Sequence, residues 1–240
     1  APCNHFHEPY WDEMGGLLEC TERLSYILSQ GYHVADVAIL YPVEPVVAGY
    51  GNEAVEAAFA AGEAIYRDGI DFDYMDYESL GRAEVRDGRL HVAGESFGVV
   101  VVPAMRAIRH SSLEKLRDFV RDGGMVINIG PLPEASEKEG RGGRALKELV
   151  ADLFGGGHDR VFRIGDPADA IALIGRNTQR DFTLLRPATD VGARSAMHKT
   201  EDPTPYVMHR RIGGRDLFAV YNVGRGATCR FRAWGAAELW

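Results

Sequence analysis

Cysteine is scarce. Cys3, Cys20 and Cys229 are odd in number, far apart and without a Cys-x-x-Cys pair, which excludes a disulfide scaffold and a thiolate zinc site. No run of about 18 apolar residues occurs, so no segment spans a bilayer as a helix. The opening Ala1-Pro-Cys-Asn-His-Phe-His7 lacks the basic and apolar regions of an export signal. Basic charge is also short: 27 Lys and Arg stand against 35 Asp and Glu, a net charge of −8. A phosphate-backbone binder carries the opposite sign. Neither nucleic acid nor a membrane is an expected partner, and no internal repeat or low-complexity segment is present.

The basic deficit is local. Residues 1–80 hold fifteen acidic and two basic side chains, whereas the remainder holds twenty and twenty-five. Such halves either pack against each other or face other domains.

What is there follows a strand–helix alternation. Leu17, Leu18, Leu24, Ile27 and Leu28 predict one amphipathic helix over Tyr10–Gln30, closed by Gly31. Val34–Tyr41 is a predicted strand, and Pro42–Gly51 a predicted loop. Val55, Ala58, Phe59, Gly62, Ile65 and Tyr66 form the apolar stripe of a second helix ending at Gly69. A strand at Ile70–Tyr74 and a polar helix at Asp76–Gly81 precede a hairpin over Ala83–Val92, turned at Asp87-Gly88. Val99–Val102, continuously β-branched and stopped by Pro103, is the pattern of a strand covered on both faces. Ser111-Ser-Leu-Glu114 reads as a capping box on the next helix. Met125–Ile129 is a second buried strand, and Arg144–Phe154 another helix. This order predicts an α/β fold: a flavodoxin-like open parallel sheet with helices on both faces over residues 10–155. Residues 156–205 form a mixed connecting region with a strand at Arg160–Ile164 and a helix at Ala168–Ile174. Strands at Tyr206–Ile212, Asp216–Tyr221 and Thr228–Arg232 then predict a few antiparallel strands of a second, partial β domain over 206–240.

Parallel sheets bind ligands at the carboxyl ends of their strands. Here that edge is lined by Tyr41–Glu44, Asp73–Asp76, Pro103–Arg106 and Asn128–Pro131. A nucleophile elbow puts Ser or Cys on a tight strand-to-helix turn. Val126-Ile-Asn-Ile-Gly-Pro131 has neither, and Ser136 arrives later in an acidic loop. Gly49-Tyr-Gly51 lacks the third glycine of a dinucleotide fingerprint, and Gly155-Gly-Gly157 serves as a helix stop. His5 and His7 alternate on one side of an extended segment with Glu8 beside them, but no fourth ligand pairs by spacing, so a polar lining is favoured over a metal site. Glu44, Glu53, Asp71, Asp73 and Asp76 raise the question of the carboxylate pair that glycoside cleavage needs.

Tyr10-Trp11, Arg23-Leu-Ser-Tyr-Ile-Leu-Ser-Gln-Gly31 and Val34-Ala-Asp-Val-Ala-Ile-Leu-Tyr-Pro42 resemble a segment of large multidomain glycoside hydrolases, nearest to α-L-rhamnosidase-type enzymes. Asp71-Phe-Asp-Tyr74, Asp87-Gly-Arg-Leu90, Val99–Pro103, Leu116–Gly124 and Leu217-Phe-Ala-Val-Tyr-Asn222 extend the resemblance. It implies a domain like the β-galactosidase trimerisation domain, related to class I glutamine amidotransferases; their cysteine would fall near Ile129 or Gly130, where this sequence has none. It also implies a preceding (β/α)8 barrel carrying the catalytic carboxylates, with residues 1–9 as the linker from it, a following β domain, and a homo-oligomer contact. The expectation is thus a non-catalytic structural or oligomerisation domain of a glycoside hydrolase, cut from a longer protein, with no catalytic residue, metal or cofactor of its own. Its candidate substrate-lining residues are His5, His7, Glu8, Tyr41, Glu44, Asp73 and Asn128, facing the carbohydrate of the parent enzyme. Two alternatives stand beside it: a stand-alone hydrolase of a small carbohydrate or amide using the strand-end carboxylates, and a sugar-binding module stacking on Trp11, Trp234 and Trp240.

Overall fold

A computed structural model describes residues 9–186, 206–221, 227–233, 235 and 236. A 3-10 turn at Trp11–Glu13 opens into α1 (Met14–Ser29), followed by β1 (Tyr32–His33) and β2 (Val37–Leu40). Helices α2 (Val43–Val47) and α3 (Glu53–Arg67) lead to β3 (Phe72–Met75) and α4 (Tyr77–Arg82). Short strands β4 (Glu84–Arg86), β5 (Arg89–Val92) and β6 (Glu95–Phe97) precede β7 (Val99–Pro103), α5 (His110–Arg121) and β8 (Met125–Ile129). Next come β9 (Ala135–Ser136), β10 (Gly140–Arg141), α6 (Arg144–Phe154), β11 (Val161–Ile164) and α7 (Asp169–Asn177). The last described elements are β12 (Phe182–Arg186), β13 (Tyr206–Ile212), β14 (Arg215–Tyr221) and β15 (Thr228–Phe231).

Five parallel strands form the central sheet in the order β11-β8-β7-β2-β3. Counted along the chain this is 2-1-3-4-5, the flavodoxin-like order. The side-chain period of two sorts the strands between two cores. Val37, Ile39, Val99, Val101, Met125 and Ile127 point to the face covered by α3 and α7. Ala38, Leu40, Val100, Val102 and Val126 point to the other, under α4, α5, α6 and the β4–β6 meander. Both faces are therefore covered, as the unbroken apolar runs required. β11 is parallel to β8, so the sheet runs past residue 155, where the sequence reading ended it.

Several expectations change on the structure. The expected strand 34–41 is shorter, only Val37–Leu40 joining the parallel sheet, and the chain just before it, β1, pairs with β13 instead. The expected loop 42–51 contains α2. Asp87 and Gly88 both take positive φ, as the hairpin signal demanded, but a second tight turn at Ala93-Gly94 adds β6 and makes a three-stranded sheet. The capping box is not formed: α5 starts at His110, and the backbone N–H of His110 donates to the carboxylate of Glu137 at 2.9 Å. Ser136, expected in a loose loop, is buried in β9. β13 and β14 form a hairpin extended by β1, whereas β15 pairs with β12 in a separate ribbon.

The uneven charge is met inside the molecule. Asp36 bonds Arg89 and Arg232, Glu53 bonds Arg106, and Asp68 bonds Arg180. Acidic side chains of the first third thus meet arginines of the remainder, the self-complementary reading.

Helix α1 departs most. Its apolar stripe is the amphipathic face expected, yet none of its 16 residues is buried, and Leu17 and Leu18 are 60% and 59% exposed. Leu24 and Tyr26 share this exposure, as do Tyr10 and Trp11 just before the helix.

Candidate functional site

The carboxyl ends of the parallel strands share one edge, and the switch point lies between β2 and β7, from which the strand order runs in opposite directions. The chain leaves β2 through a tight turn in which Val43 N–H donates to the Tyr41 carbonyl at 2.9 Å. That turn delivers Glu44 into the first turn of α2. The chain leaves β7 at Ala104, whose φ of 46° is left-handed, and Arg106 N–H donates back to the Ala104 carbonyl at 2.8 Å. After β8, Gly130 is left-handed too, at φ 73°. These are the positions where an elbow would hold a nucleophile, and alanine and glycine have none. The sequence reading looked only at the second; the first shows itself only through backbone angles.

Glu44 is the one strand-edge carboxylate held in partly apolar surroundings. Its side chain is 15% exposed, with Arg109 Nε at 3.9 Å. Burial pushes its pKa up, against the pull of Arg109, and the carboxylates of Glu137 and Asp76 push the same way as burial. The Arg109 guanidinium itself lies 3.4 Å over the Tyr77 ring. Tyr41, 47% exposed, meets Tyr74 edge to face at 6.0 Å. Phe59 and Phe72 complete the cluster around Tyr74 at 5.9 and 5.3 Å. Phe59 was expected inside the α3 stripe; it is exposed instead. Gly62 is what lets α3 lie on these rings, since a Cβ there would sit 2.7 Å from Phe72 Cζ and Tyr74 Oη.

The other carboxylates of this edge are engaged. Asp76 caps α4, accepting from the backbone N–H of Glu78 and Ser79 at 2.7 and 2.8 Å, and those bonds hold its pKa below the usual carboxylate range. Glu53 bonds Arg106 at 2.9 Å, and Glu137 caps α5. Glycoside cleavage needs two carboxyl groups across the scissile bond; of the described carboxylates named at this edge, Glu44 is the least engaged, with a backbone N–H bond and Arg109 Nε at 3.9 Å.

Two candidates are not where the sequence put them. Asp73 is not a loop residue at the strand end: it lies within β3 and holds His33 Nδ1 at 2.7 Å. Asp71 takes the Nε2 of the same ring at 2.7 Å. Asn128 is inside β8 with no exposed surface; its Nδ2 donates to the Gly130 carbonyl at 2.9 Å and its Oδ1 is unbonded. A side chain without exposed surface does not line an open pocket, so the register of β8 takes it out of the site. Tyr41 and Glu44 remain together at the edge. His5, His7 and Glu8 lie outside the described residues, as do Trp234 and Trp240. Among the described residues no group of three or more His, Cys, Asp or Glu is placed to hold a metal ion.

A second charged cluster went unnoticed in the sequence because its members are far apart. His209, stacked on Phe218 at 4.1 Å, has Asp181 at Nδ1 (2.9 Å) and Asp216 at Nε2 (2.8 Å). It links the β13–β14 hairpin to the segment that enters β12.

Comparison with known proteins matches residues 4–240 to the sequence profile of the alpha-L-rhamnosidases, glycoside hydrolase family 106. A curated relative described as a putative beta-glucuronidase, from Formosa agariphila, is 27% identical over 218 residues, 89% of this chain and 17% of that protein. The solved rhamnosidase from Novosphingobium sp. PP1Y is 21% identical with a TM-score of 0.61, over 92% of this chain and 20% of that one. The chain spans about a fifth of the length of each.

Proposed function

Because this chain belongs to the alpha-L-rhamnosidase family of glycoside hydrolases, we propose that it is the non-catalytic structural module of a longer enzyme, packed against a catalytic domain of the same polypeptide. The observation that carries this reading is the engagement of the strand-edge carboxylates. Asp76 caps a helix, Asp73 holds His33 and Glu53 holds Arg106, which leaves Glu44 without a partner for acid–base chemistry. The empty elbow positions at Ala104 and Gly130 remove acyl transfer in the manner of an amidotransferase.

The exposed stripe of α1 supports the same reading from packing. An isolated domain gains nothing by holding Leu17, Leu18, Leu24 and Tyr26 in water, and exposed apolar patches of this kind mark interaction surfaces. A module resembling the trimerisation domain of β-galactosidases would use such a face against the barrel, and would present Tyr41 and Glu44 to the sugar. The direct test is the mass of the native polypeptide in its own cells. A mass larger than this 26.4 kDa chain by at least a barrel of about 250 residues agrees with the module. A native mass near 26.4 kDa contradicts it and makes Glu44 the first residue to test for catalysis.

A further inference from the structure

Helix α1 has little to hold it helical in this chain. None of its residues is buried. Among the described residues, no side chain of Met14–Ser29 forms a hydrogen bond or ion pair with another element. Thr21 Oγ1 and Ser29 Oγ donate back to the helix itself, to the Leu17 and Tyr26 carbonyls, each at 2.8 Å. The local terms are unfavourable as well. Glu13 at the N-cap makes no side-chain bond, the first turn carries no acid and the last turn no base. Gly15 and Gly16 stand in the first turn and alanine is absent, whereas glycine is the poorest helix former after proline. Isolated helices shorter than about 15 residues are marginal in water even when rich in alanine. The 16 residues of α1 stand at that limit without alanine. Helices in proteins draw most of their stability from packing an apolar face, and this face is unpacked.

The C-terminal end differs. Arg210 Nε donates to the Gln30 carbonyl at 2.7 Å and its Nη2 to the Gly31 carbonyl at 3.1 Å. Tyr32 and His33 then pair with Arg211 and Arg210 of β13. Fixed structure therefore begins at Gln30 and tethers the segment before it. Met14, Leu17, Leu18, Leu24 and Leu28 give that segment the three- and four-residue steps by which a helix lies in an apolar groove. A second copy of the same helix fits poorly. Asp12, Glu13, Glu19 and Glu22 stand against Arg23 alone over residues 11–29, so two such helices would set like charges together. This chain spans about a fifth of its longer relatives, and the rest of such a polypeptide is where a groove can lie.

We propose that α1 folds as it docks: residues 14–29 become a stable helix only when the apolar stripe enters a groove of the catalytic domain, growing from the point that Arg210 fixes. This rests on the module reading above and adds to it an ordering step, as in other segments that fold on binding. Hydrogen exchange read by mass spectrometry, on the 240-residue chain and on the longer enzyme, is the test. In the chain, α1 amides are expected to exchange within about tenfold of unstructured peptide rates while β7 and β8 stay protected. In the longer enzyme the α1 amides are expected to slow by at least about 100-fold. Leu17→Glu with Leu24→Glu in that enzyme returns them to the rate seen in the chain, with β7 and β8 still protected. Protection of α1 in the chain as strong as that of the strands overturns folding on docking and leaves the module reading intact. Protection in the chain that rises with protein concentration overturns the occupant, because the partner is then a second copy. Fast exchange in both proteins overturns the docking of this face. Protection in the enzyme that survives the two glutamates overturns the stripe as its cause.

Discussion

His33 shows how one side chain ties two parts of this molecule together. It is buried, and both ring nitrogens face carboxylates, so only the imidazolium donates to both Asp71 and Asp73. Burial pulls its pKa down, but the two carboxylates outweigh burial and hold it at about 10. The folded value lies above the ordinary 6.5, so the stabilisation is complete below pH 6.5 and is lost as pH rises through about 10. Replacing His33 by Gln leaves two carboxylates without their cation. Urea unfolding at pH 7 is expected to show a loss of about 3 kcal/mol, in line with breaking a buried pair, and the variant is expected to lose the parent's decline between pH 6.5 and 10. Glu44 has the opposite sign. Its folded pKa is raised chiefly by burial, so the ionised form burdens the fold above that value. Glu44→Gln is therefore expected to be as stable as the parent or more so at pH 7 by urea unfolding, and to leave the hydrolytic rate of the full enzyme within about twofold. General acid catalysis is worth about 100-fold or more, so a fall of that size would place Glu44 in the chemistry.

At the scale of elements, caps and crossing points decide what the sequence pattern alone does not. The start of α5 depends on Glu137, which lies 27 residues along the chain from the N–H it accepts. Glu137→Ala is expected to lower the thermal midpoint, at about 1 kcal/mol for a lost cap, whereas Ser111→Ala leaves it unchanged. Gly31 is the junction of α1 and β1. Its φ is 61°, and a Cβ would lie 2.0 Å from the Arg211 carbonyl oxygen. Gly31→Ala is expected to cost at least about 2 kcal/mol, left-handed strain adding to the clash, and to open the β1–β13 pairing to hydrogen exchange. These contrasts mark what was legible. Val99–Pro103 and Met125–Ile129 declared themselves because strands buried on both faces need unbroken apolar runs. Asp87-Gly88 did so because a two-residue hairpin needs positive φ twice. The capping box misled because a partner distant in sequence outcompetes a local signal, and β12 was missed because its pairing with β15 leaves no local pattern. The rule of strand ends put Tyr41 and Glu44 at the carboxyl edge of the sheet, which is their position in the structure. Asp73 and Asn128 fell within predicted strands, but the pattern could not show that His33 takes the Asp73 carboxylate and that the Asn128 side chain is buried against the Gly130 carbonyl. Arg109 was missed because only the fold brings it to Glu44, and the cluster of Tyr41, Phe59 and Phe72 around Tyr74 because only the fold brings those rings together.

At the scale of the whole molecule, the parallel sheet is covered on both faces, whereas α1 has no buried residue. Leu17→Glu with Leu24→Glu is expected to change the stability of this chain by no more than about 0.5 kcal/mol, as for surface positions. In the longer enzyme the same pair is expected to lower the melting temperature, because the proposed docking buries the stripe there. The difference between the two melting curves separates a docking helix from one that merely tolerates exposure. The measurement that bears most directly on a non-catalytic module is hydrolysis of an aryl α-L-rhamnoside by the purified, folded 240-residue chain. No release of the aglycone above the uncatalysed rate is expected. Turnover by this chain that Glu44→Gln abolishes would contradict the module and put the active site at the end of β2.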